Sequence, residues 1–155
     1  MALEDKLKKL AERKAAEQSF DWNAERDKWL RALGRIYTDI EGWMQPYVAK
    51  KLATTRRTQI ELSEEKIGKY KCQVLEIDFS GQVIRFEPVG TLIIGAWGRI
   101  DIQRKPRGLR GETMLTLENS REAPEWVLWF SGSSGERRPF TQETLEGAIE
   151  LWIDE

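Results

Sequence analysis

One short run of residues, 98–105, carries the side chains with the clearest potential for chemistry. Arg99, Asp101 and Gln103 alternate along this run, so a strand would place them on one face together with Lys105. Carboxylate and amide oxygens can hold Mg²⁺, the metal can polarise a phosphate, and a lysine can assist the attacking water. A metal-dependent nuclease is therefore one hypothesis for this chain.

The order of an acid followed by Gln-x-Lys resembles the pattern of restriction-like nucleases. That resemblance implies catalytic roles for Asp101, Gln103 and Lys105, with Glu87 or Asp78 as a further carboxylate. In that family the first acid lies on a separate strand from Gln-x-Lys, and helices interleave with the strands, whereas this region predicts a continuous meander. The simpler interpretation is that Arg99 and Asp101 pair with charges on a neighbouring strand, such as Arg85 or Glu87, on a half-exposed face of the sheet.

A basic segment overlaps the same run and continues beyond it. Its cationic residues are Arg99, Arg104, Lys105, Arg107 and Arg110. Such a cluster can bind backbone phosphates by releasing their condensed counterions. Because no helix-turn-helix, zinc finger, RNP motif or Gly-rich phosphate loop accompanies it, a solvated hairpin tip is the competing interpretation.

The composition excludes several classes of enzyme. The chain has 155 residues, no histidine and a single cysteine, Cys72. Without histidine there is no Ser-His or Cys-His nucleophile pair, and one cysteine forms neither a Cys-x-x-Cys motif nor a thiolate metal cluster. Carboxylate chemistry or binding without catalysis remains. We expect no metal site and no cofactor, and we interpret Cys72 as a small core residue.

Charge and hydropathy indicate the compartment and exclude some partners. The formal net charge is −1, but residues 1–60 hold 13 basic and 9 acidic side chains (+4), which leaves 12 and 17 (−5) for residues 61–155. A net charge near zero argues against a nucleic-acid coat protein. No apolar run approaches the roughly 20 residues that span a bilayer. We expect a cytoplasmic protein with no membrane partner.

Residues 2–18 predict an N-terminal helix made of strong helix formers. Leu3, Leu7 and Leu10 lie on one face of this helix, and the apolar stripe fades in its second half. A helix with so narrow a stripe is marginal alone and needs a partner surface. We therefore interpret residues 1–20 as a helical arm for docking or self-association, followed by a break near residue 20.

Residues 21–50 predict a second helix, N-capped by Asp21 and carrying the strongest periodic pattern in the chain. Its apolar positions are Trp22, Trp29, Leu33, Ile36, Ile40, Trp43 and Tyr47. Trp22 and Trp29 are candidate protein-binding anchors because tryptophan combines a large apolar area with a polar edge. Burial against the protein's own sheet is the competing interpretation. Pro46 is expected to kink or end this helix near Gln45.

Residues 56–130 alternate with a period of two, which predicts a curved antiparallel meander of five to six strands. A partly closed barrel would also fit this pattern. Within the meander we expect a bulge near residues 74–75, a two-residue turn at Ser80-Gly81 and a strand over residues 91–103.

The C-terminal segment predicts a linker at residues 131–136 and a covering helix at residues 141–153, N-capped by Thr141. The buried stripe of this helix is expected to contain Leu145, Ile149, Trp152 and Ile153. Residues 21–155 are therefore predicted to form a single α+β domain, preceded by the arm.

These observations favour a non-enzymatic protein-binding module: a small cytoplasmic adaptor, an assembly subunit, or an accessory protein of the immunity or inhibitor type. The residues expected to bind the partner are Leu3, Leu7, Leu10, Trp22 and Trp29. The alternative is a nucleic-acid-binding protein or a metal-dependent nuclease that uses the basic region 99–110.

Overall fold

The computed structural model shows an α+β fold, as the sequence predicts. It describes residues 2–19, 21–91, 98–109, 112–118, 125–130 and 136–154. The helices are α1 (Ala2–Ser19), α2 (Trp22–Ala49) and α3 (Gln142–Asp154). The strands are β1 (Thr54–Glu64), β2 (Gly68–Phe79), β3 (Gln82–Gly90), β4 (Gly98–Lys105), β5 (Thr113–Glu118), β6 (Glu125–Phe130) and β7 (Glu136–Pro139).

The seven strands form one antiparallel sheet in which each strand pairs only with its neighbours in the sequence, in the order β1 to β7. The sheet is open, with β1 and β7 at its edges, so the predicted meander is confirmed and a closed barrel is not formed. The strand count exceeds the predicted five to six, and Glu136, placed in the predicted linker, begins β7. Residues 131–135 of that linker and residues 92–97 of the predicted 91–103 strand lie outside the described residues.

Helix α1 ends at Ser19 and α2 begins at Trp22, and residue 20, near which the break is predicted, lies outside the described residues. The Asp21 side chain caps α2, because its Oδ1 accepts a hydrogen bond from the Ala24 amide at 3.0 Å. Helix α2 then buries a continuous stripe against the sheet. That stripe consists of Trp29, Leu33, Ile36, Tyr37, Ile40 and Met44.

The predicted extent of α2 over residues 21–50 is confirmed, and of the two effects expected of Pro46 the helix does not end near Gln45 but continues through Pro46 to Ala49. Pro46 lies in the last turn, and the carbonyl left without its donor is that of Gly42, an exposed residue. The helix ends where Lys51 adopts a positive φ of 61°. There the Leu52 amide donates to the Tyr47 carbonyl at 2.9 Å, which closes the helix as a Schellman motif.

The predicted bulge at residues 74–75 is also wrong, since the β1–β2 register runs without a shift from Thr54 to Glu64. The buried core residues of β2 nevertheless lie on one face in its first half, at Tyr70 and Cys72, and on the other face in its second half, at Leu75 and Ile77. The β2–β3 ladder stops at Leu75, so the first half of β2 separates from β3. At that point the Tyr37 hydroxyl lies 2.9 Å from the Gln73 carbonyl and 3.3 Å from the Phe86 carbonyl. A side chain of α2 thus occupies the separation between two strands.

One turn and one irregularity of strand pairing position the middle of the sheet. Ser80 and Gly81 both have positive φ, and the Gly81 amide donates to Asp78 Oδ1 at 2.7 Å, so the predicted two-residue hairpin turn is confirmed. The irregularity that bends the sheet lies instead between Pro88 and Gly90.

Helix α3 packs on the core of the sheet, as predicted. Its start is capped by Thr141, whose Oγ1 accepts from the Thr144 amide at 3.2 Å, while Thr144 Oγ1 accepts from the Thr141 amide at 2.8 Å. Leu145, Ile149 and Trp152 are buried. Ile153 was expected in the same stripe but is 39% exposed.

Candidate functional site

The residues predicted for a nuclease lie together on β3 and β4, but their charges are already balanced. Glu87 and Asp101 are register partners on adjacent strands. Arg85 Nη2 donates to Glu87 Oε1 at 2.8 Å, and Arg99 Nε donates to Asp101 Oδ1 at 2.6 Å. Each carboxylate is therefore neutralised by an arginine of its own strand, and Arg99 pairs along the strand rather than across it, contrary to the simpler interpretation of the sequence.

The donor set around Asp101 is small. Gln103 and Lys105 follow it along β4, and both are exposed. Among residues 2–19, 21–91, 98–109, 112–118, 125–130 and 136–154, no group of three or more His, Cys, Asp or Glu side chains is placed to hold a metal ion. The structure thus brings Asp101 and Glu87 together without a third acidic ligand, which is a poor match to a Mg²⁺ site.

Glu76 joins three strands through a row of alternating charges on the same face of the sheet. Its Oε1 accepts from Arg56 Nη2 at 2.6 Å and its Oε2 from Arg85 Nη1 at 3.3 Å. The hydrogen bond from Arg56, aided by the one from Arg85, lowers the pKa of the Glu76 carboxyl group despite its burial. This row is a structural cross-link of β1, β2 and β3, and it extends to Glu87 through Arg85.

The basic segment divides into buried and exposed residues. Arg104 is only 4% exposed, and its guanidinium donates to the carbonyls of Arg107 at 2.7 Å, Gly108 at 3.0 Å and Trp152. Arg104 therefore fixes the loop and the end of α3, and it is not available to a phosphate as the nucleic-acid alternative expected. Lys105 and Arg107 are exposed, and the predicted Arg110 lies outside the described residues.

The two tryptophans proposed as docking anchors differ in their surroundings. Trp29 is 3% exposed, and its ring fills the space beside Gly98, where an added Cβ would lie 2.2 Å from Trp29 Cζ3. Its ring centroid is 6.0 Å from that of Trp126. Trp29 is thus a core residue that the glycine makes room for, and we remove it from the docking surface. Trp22, at the start of α2, stays partly exposed.

The arm leucines are on the surface, as a docking surface requires. Every side chain of residues 2–16 is exposed, and Leu3, Leu7 and Leu10 keep 66%, 55% and 60% of their accessible area. An apolar stripe of this kind is unusual on a helix that serves only as a spacer. Basic residues border one side of the stripe, at Lys6, Lys9 and Arg13.

A second exposed surface lies on α3 and was missed by the sequence interpretation. Glu143, Glu146 and Glu150 line one outward side of this helix, beside Gly147 and a shallow depression of about 510 Å³. Leu151 borders the same side and is 63% exposed. We name this surface the α3 ridge. The sequence does indicate this surface, through the i, i+3, i+7 spacing of the three glutamates. The sequence interpretation missed it because it considered only the buried apolar stripe of this helix.

Cys72 has the properties of a core residue. It is a buried free thiol, and burial raises its pKa to about 11. A thiol with so high a pKa is almost entirely protonated near neutral pH, so it is a poor nucleophile.

Three broader comparisons complete the description of these surfaces. Within the described part of the chain, no helix combines the length and apolar character needed to cross a membrane. Comparison of the sequence with protein-family models and with curated proteins finds no match, and comparison with solved structures finds none either.

Proposed function

We propose that this protein is a non-enzymatic binding module that docks onto another protein through α1. One observation carries the proposal: every side chain of residues 2–16 is exposed, including three leucines at helical spacing. The sheet with α2 and α3 acts as the body that presents this arm. We propose a small adaptor, an assembly subunit or an accessory protein of the immunity or inhibitor type, and the lone cysteine favours a reducing cytoplasm.

The arm is a helix that gains stability from contact with a partner. A helix of 18 residues is near the length at which an isolated helix is only marginally stable in water. Local interactions such as the Lys8–Glu4 pair, at 3.6 Å and largely exposed, add only a few tenths of a kcal/mol. Burial of a leucine contributes roughly 1.5–3 kcal/mol, so the apolar stripe is the main source of binding energy.

The charges beside the stripe define the chemistry of the partner surface. Lys6, Lys9 and Arg13 lie along one side of Leu7 and Leu10. An apolar groove with an acidic rim would accept the leucines and pair with these cations, in the manner of a helix-in-groove interface. We therefore propose an acidic, apolar protein surface as the target of α1.

The pairing of charges on the sheet supports the non-enzymatic part of the proposal. Glu76, Glu87 and Asp101 each bind an arginine. Glu76 is in addition a weak general base, because its hydrogen bonds from Arg56 and Arg85 lower the pKa of its carboxyl group.

The experiment is site-specific photo-crosslinking in extract of the source cells. A benzoylphenylalanine at position 7 keeps the arm apolar, and the same group at position 103, on the exposed sheet face, is the matched control. We expect protein adducts from position 7 only. Replacing Leu3 and Leu10 by serine in the position-7 protein should reduce them by at least about tenfold, since 1.4 kcal/mol corresponds to tenfold in affinity.

Three results would contradict the proposal. The first is an equal yield of protein adducts from positions 7 and 103. The second is a yield from position 7 that the Leu3→Ser and Leu10→Ser changes do not reduce. The third is crosslinking of position 7 to nucleic acid or lipid alone. Thermal unfolding of each protein verifies that the body is folded, and residues 2–16 are exposed, so the serine changes should leave its midpoint unaltered.

A further inference from the structure

The arm and the α3 ridge carry opposite charges at closely matching spacing. The basic residues Lys6, Lys9 and Arg13 are at i, i+3 and i+7 on α1, and the ridge holds three glutamates at the same intervals. On two helices with a rise of about 1.5 Å per residue, both rows extend about 10 Å. Oppositely charged rows of equal length can form several ion pairs at once, which sets register and orientation.

The apolar positions match in one orientation only. In both helices the apolar or open positions lie on the same side of the charged row. Antiparallel packing therefore places the basic residues of α1 against the glutamates of the α3 ridge, and the leucines against the open side of the ridge. Lys6 then faces Glu150, and Arg13 faces Glu143. At Gly147 an added Cβ would contact nothing within 4 Å, which leaves room for a leucine beside the exposed Leu151.

The arm cannot reach the ridge of its own chain. The ridge packs at the far end of α2, where the Tyr47 hydroxyl donates to Glu146 Oε1 at 2.6 Å. Tyr47 is about 37 Å along the helix from Trp22, whereas the basic row lies only about 9 Å (Arg13) to about 20 Å (Lys6) along α1 from Ser19. Even if α1 folded back along α2, its basic row would stop well short of α3.

We infer that α1 of one copy of this chain packs antiparallel on the α3 ridge of a second copy, and that the two copies exchange arms reciprocally. This inference rests on the proposed function of the arm and names its partner. Reciprocal exchange is the arrangement that closes a dimer, because each chain offers one arm and one ridge. It also uses each surface twice, which compensates for the small area that a single helix pair buries.

The test is a charge exchange measured by light scattering on the purified full chain. One variant carries Lys6→Glu and Arg13→Glu, and the other carries Glu143→Lys and Glu150→Lys, with Glu146 kept for Tyr47. We expect the unmodified chain to reach twice its monomer mass with rising concentration and each variant to stay monomeric. An equimolar mixture of the two variants should recover the dimer mass, since both arm–ridge contacts are then complementary.

A control and two contradicting outcomes complete the design. Lys8→Glu, on the far side of α1, should keep the dimer. A monomeric unmodified chain at all concentrations, or a variant mixture that stays monomeric although both variants unfold at the normal temperature, overturns the inference. Adducts from position 7 to a different protein would then leave the proposed function standing, whereas loss of all arm-dependent adducts would remove it as well.

Discussion

Helices α1 and α2 are adjacent in the sequence, but residues 2–16 of α1 bury no side chain whereas α2 buries six. Helix α1 consists mostly of Ala, Leu, Lys and Glu, which are the better helix formers. Helix α2 contains tryptophan, tyrosine, isoleucine and glycine, which are poorer helix formers.

The difference shows that the width of the apolar stripe, rather than helix propensity, decides which helix becomes part of the body. The stripe of α2 continues from Trp29 to Met44 and meets the sheet along that length. The stripe of α1 ends at Leu10. High propensity favours the helical state of α1 although residues 2–16 bury no side chain, and the missing second half of its stripe keeps it off the sheet.

The largest expected effect separates the two helices directly. Ile40→Ala removes a side chain with no exposed area from the centre of α2 and should lower the free energy of unfolding by about 2–5 kcal/mol. Leu7→Ala, its counterpart on α1, should change it by less than about 0.5 kcal/mol. Urea unfolding followed by tryptophan fluorescence measures both. A comparable loss for Leu7→Ala would show that the arm packs on its own body.

The second effect concerns the glycine that admits Trp29. Gly98→Ala would place a methyl group 2.2 Å from the buried indole ring, and the resulting displacement should cost about 1–3 kcal/mol. Gly42→Ala on α2 is the matched control, because its Cβ would meet nothing within 4 Å. That control should stabilise the protein by about 0.5–1 kcal/mol, since alanine is the better helix former. If Gly98→Ala raised the free energy of unfolding as Gly42→Ala is expected to do, that result would contradict the packing of Trp29 against β4.

The smallest effect depends on pH and compares a carboxylate of the body with one of the arm. Arg56, and then Arg85, lower the pKa of Glu76 in the folded protein. Its contribution to the free energy of unfolding should therefore be present above the unfolded pKa of about 4.3 and be lost as the pH falls through the lower folded pKa. The stability difference between the unmodified chain and Glu76→Gln should shrink in that window.

Glu4→Gln on α1 is the control for this pH series. Glu4 pairs with Lys8, and both side chains are 69% exposed, so its removal should have almost no effect on unfolding at any pH. A difference for Glu76→Gln that stays constant between pH 7 and pH 3 would mean that the carboxylate is not stabilised by its arginines.

Local chemistry explains which parts of this fold could be predicted. The caps at Asp21 and Thr141 and the turn at Ser80-Gly81 depend on residues within three positions, and all three are present. The continuation of α2 past Pro46 was not predictable from the proline alone, since its cost depends on the exposure of Gly42. The charge pairing of Arg99 was assigned to the wrong direction because strand register is unknown from one sequence.

The candidate binding residues also differ in whether their exposure could be predicted from the sequence. The exposure of Leu3, Leu7 and Leu10 followed from the narrowness of their stripe. The burial of Arg104 could not be predicted, because its acceptors include the Trp152 carbonyl, 48 positions away in the chain. Trp29 was predicted to be an interface anchor from its residue type alone. Its burial depends on Gly98, whose lack of a side chain leaves space for the indole ring.

The sequential order of the strands has a consequence for how this chain acquires its structure during synthesis. Because every strand pairs with the one made just before it, the sheet can grow by successive hairpins without waiting for distant segments, which is the condition for rapid folding. Helix α3 follows all seven strands in the chain and supplies Leu145, Ile149 and Trp152 to the core. Until α3 is synthesised, the core lacks these three side chains, and the acceptor that Arg104 needs from Trp152 is missing.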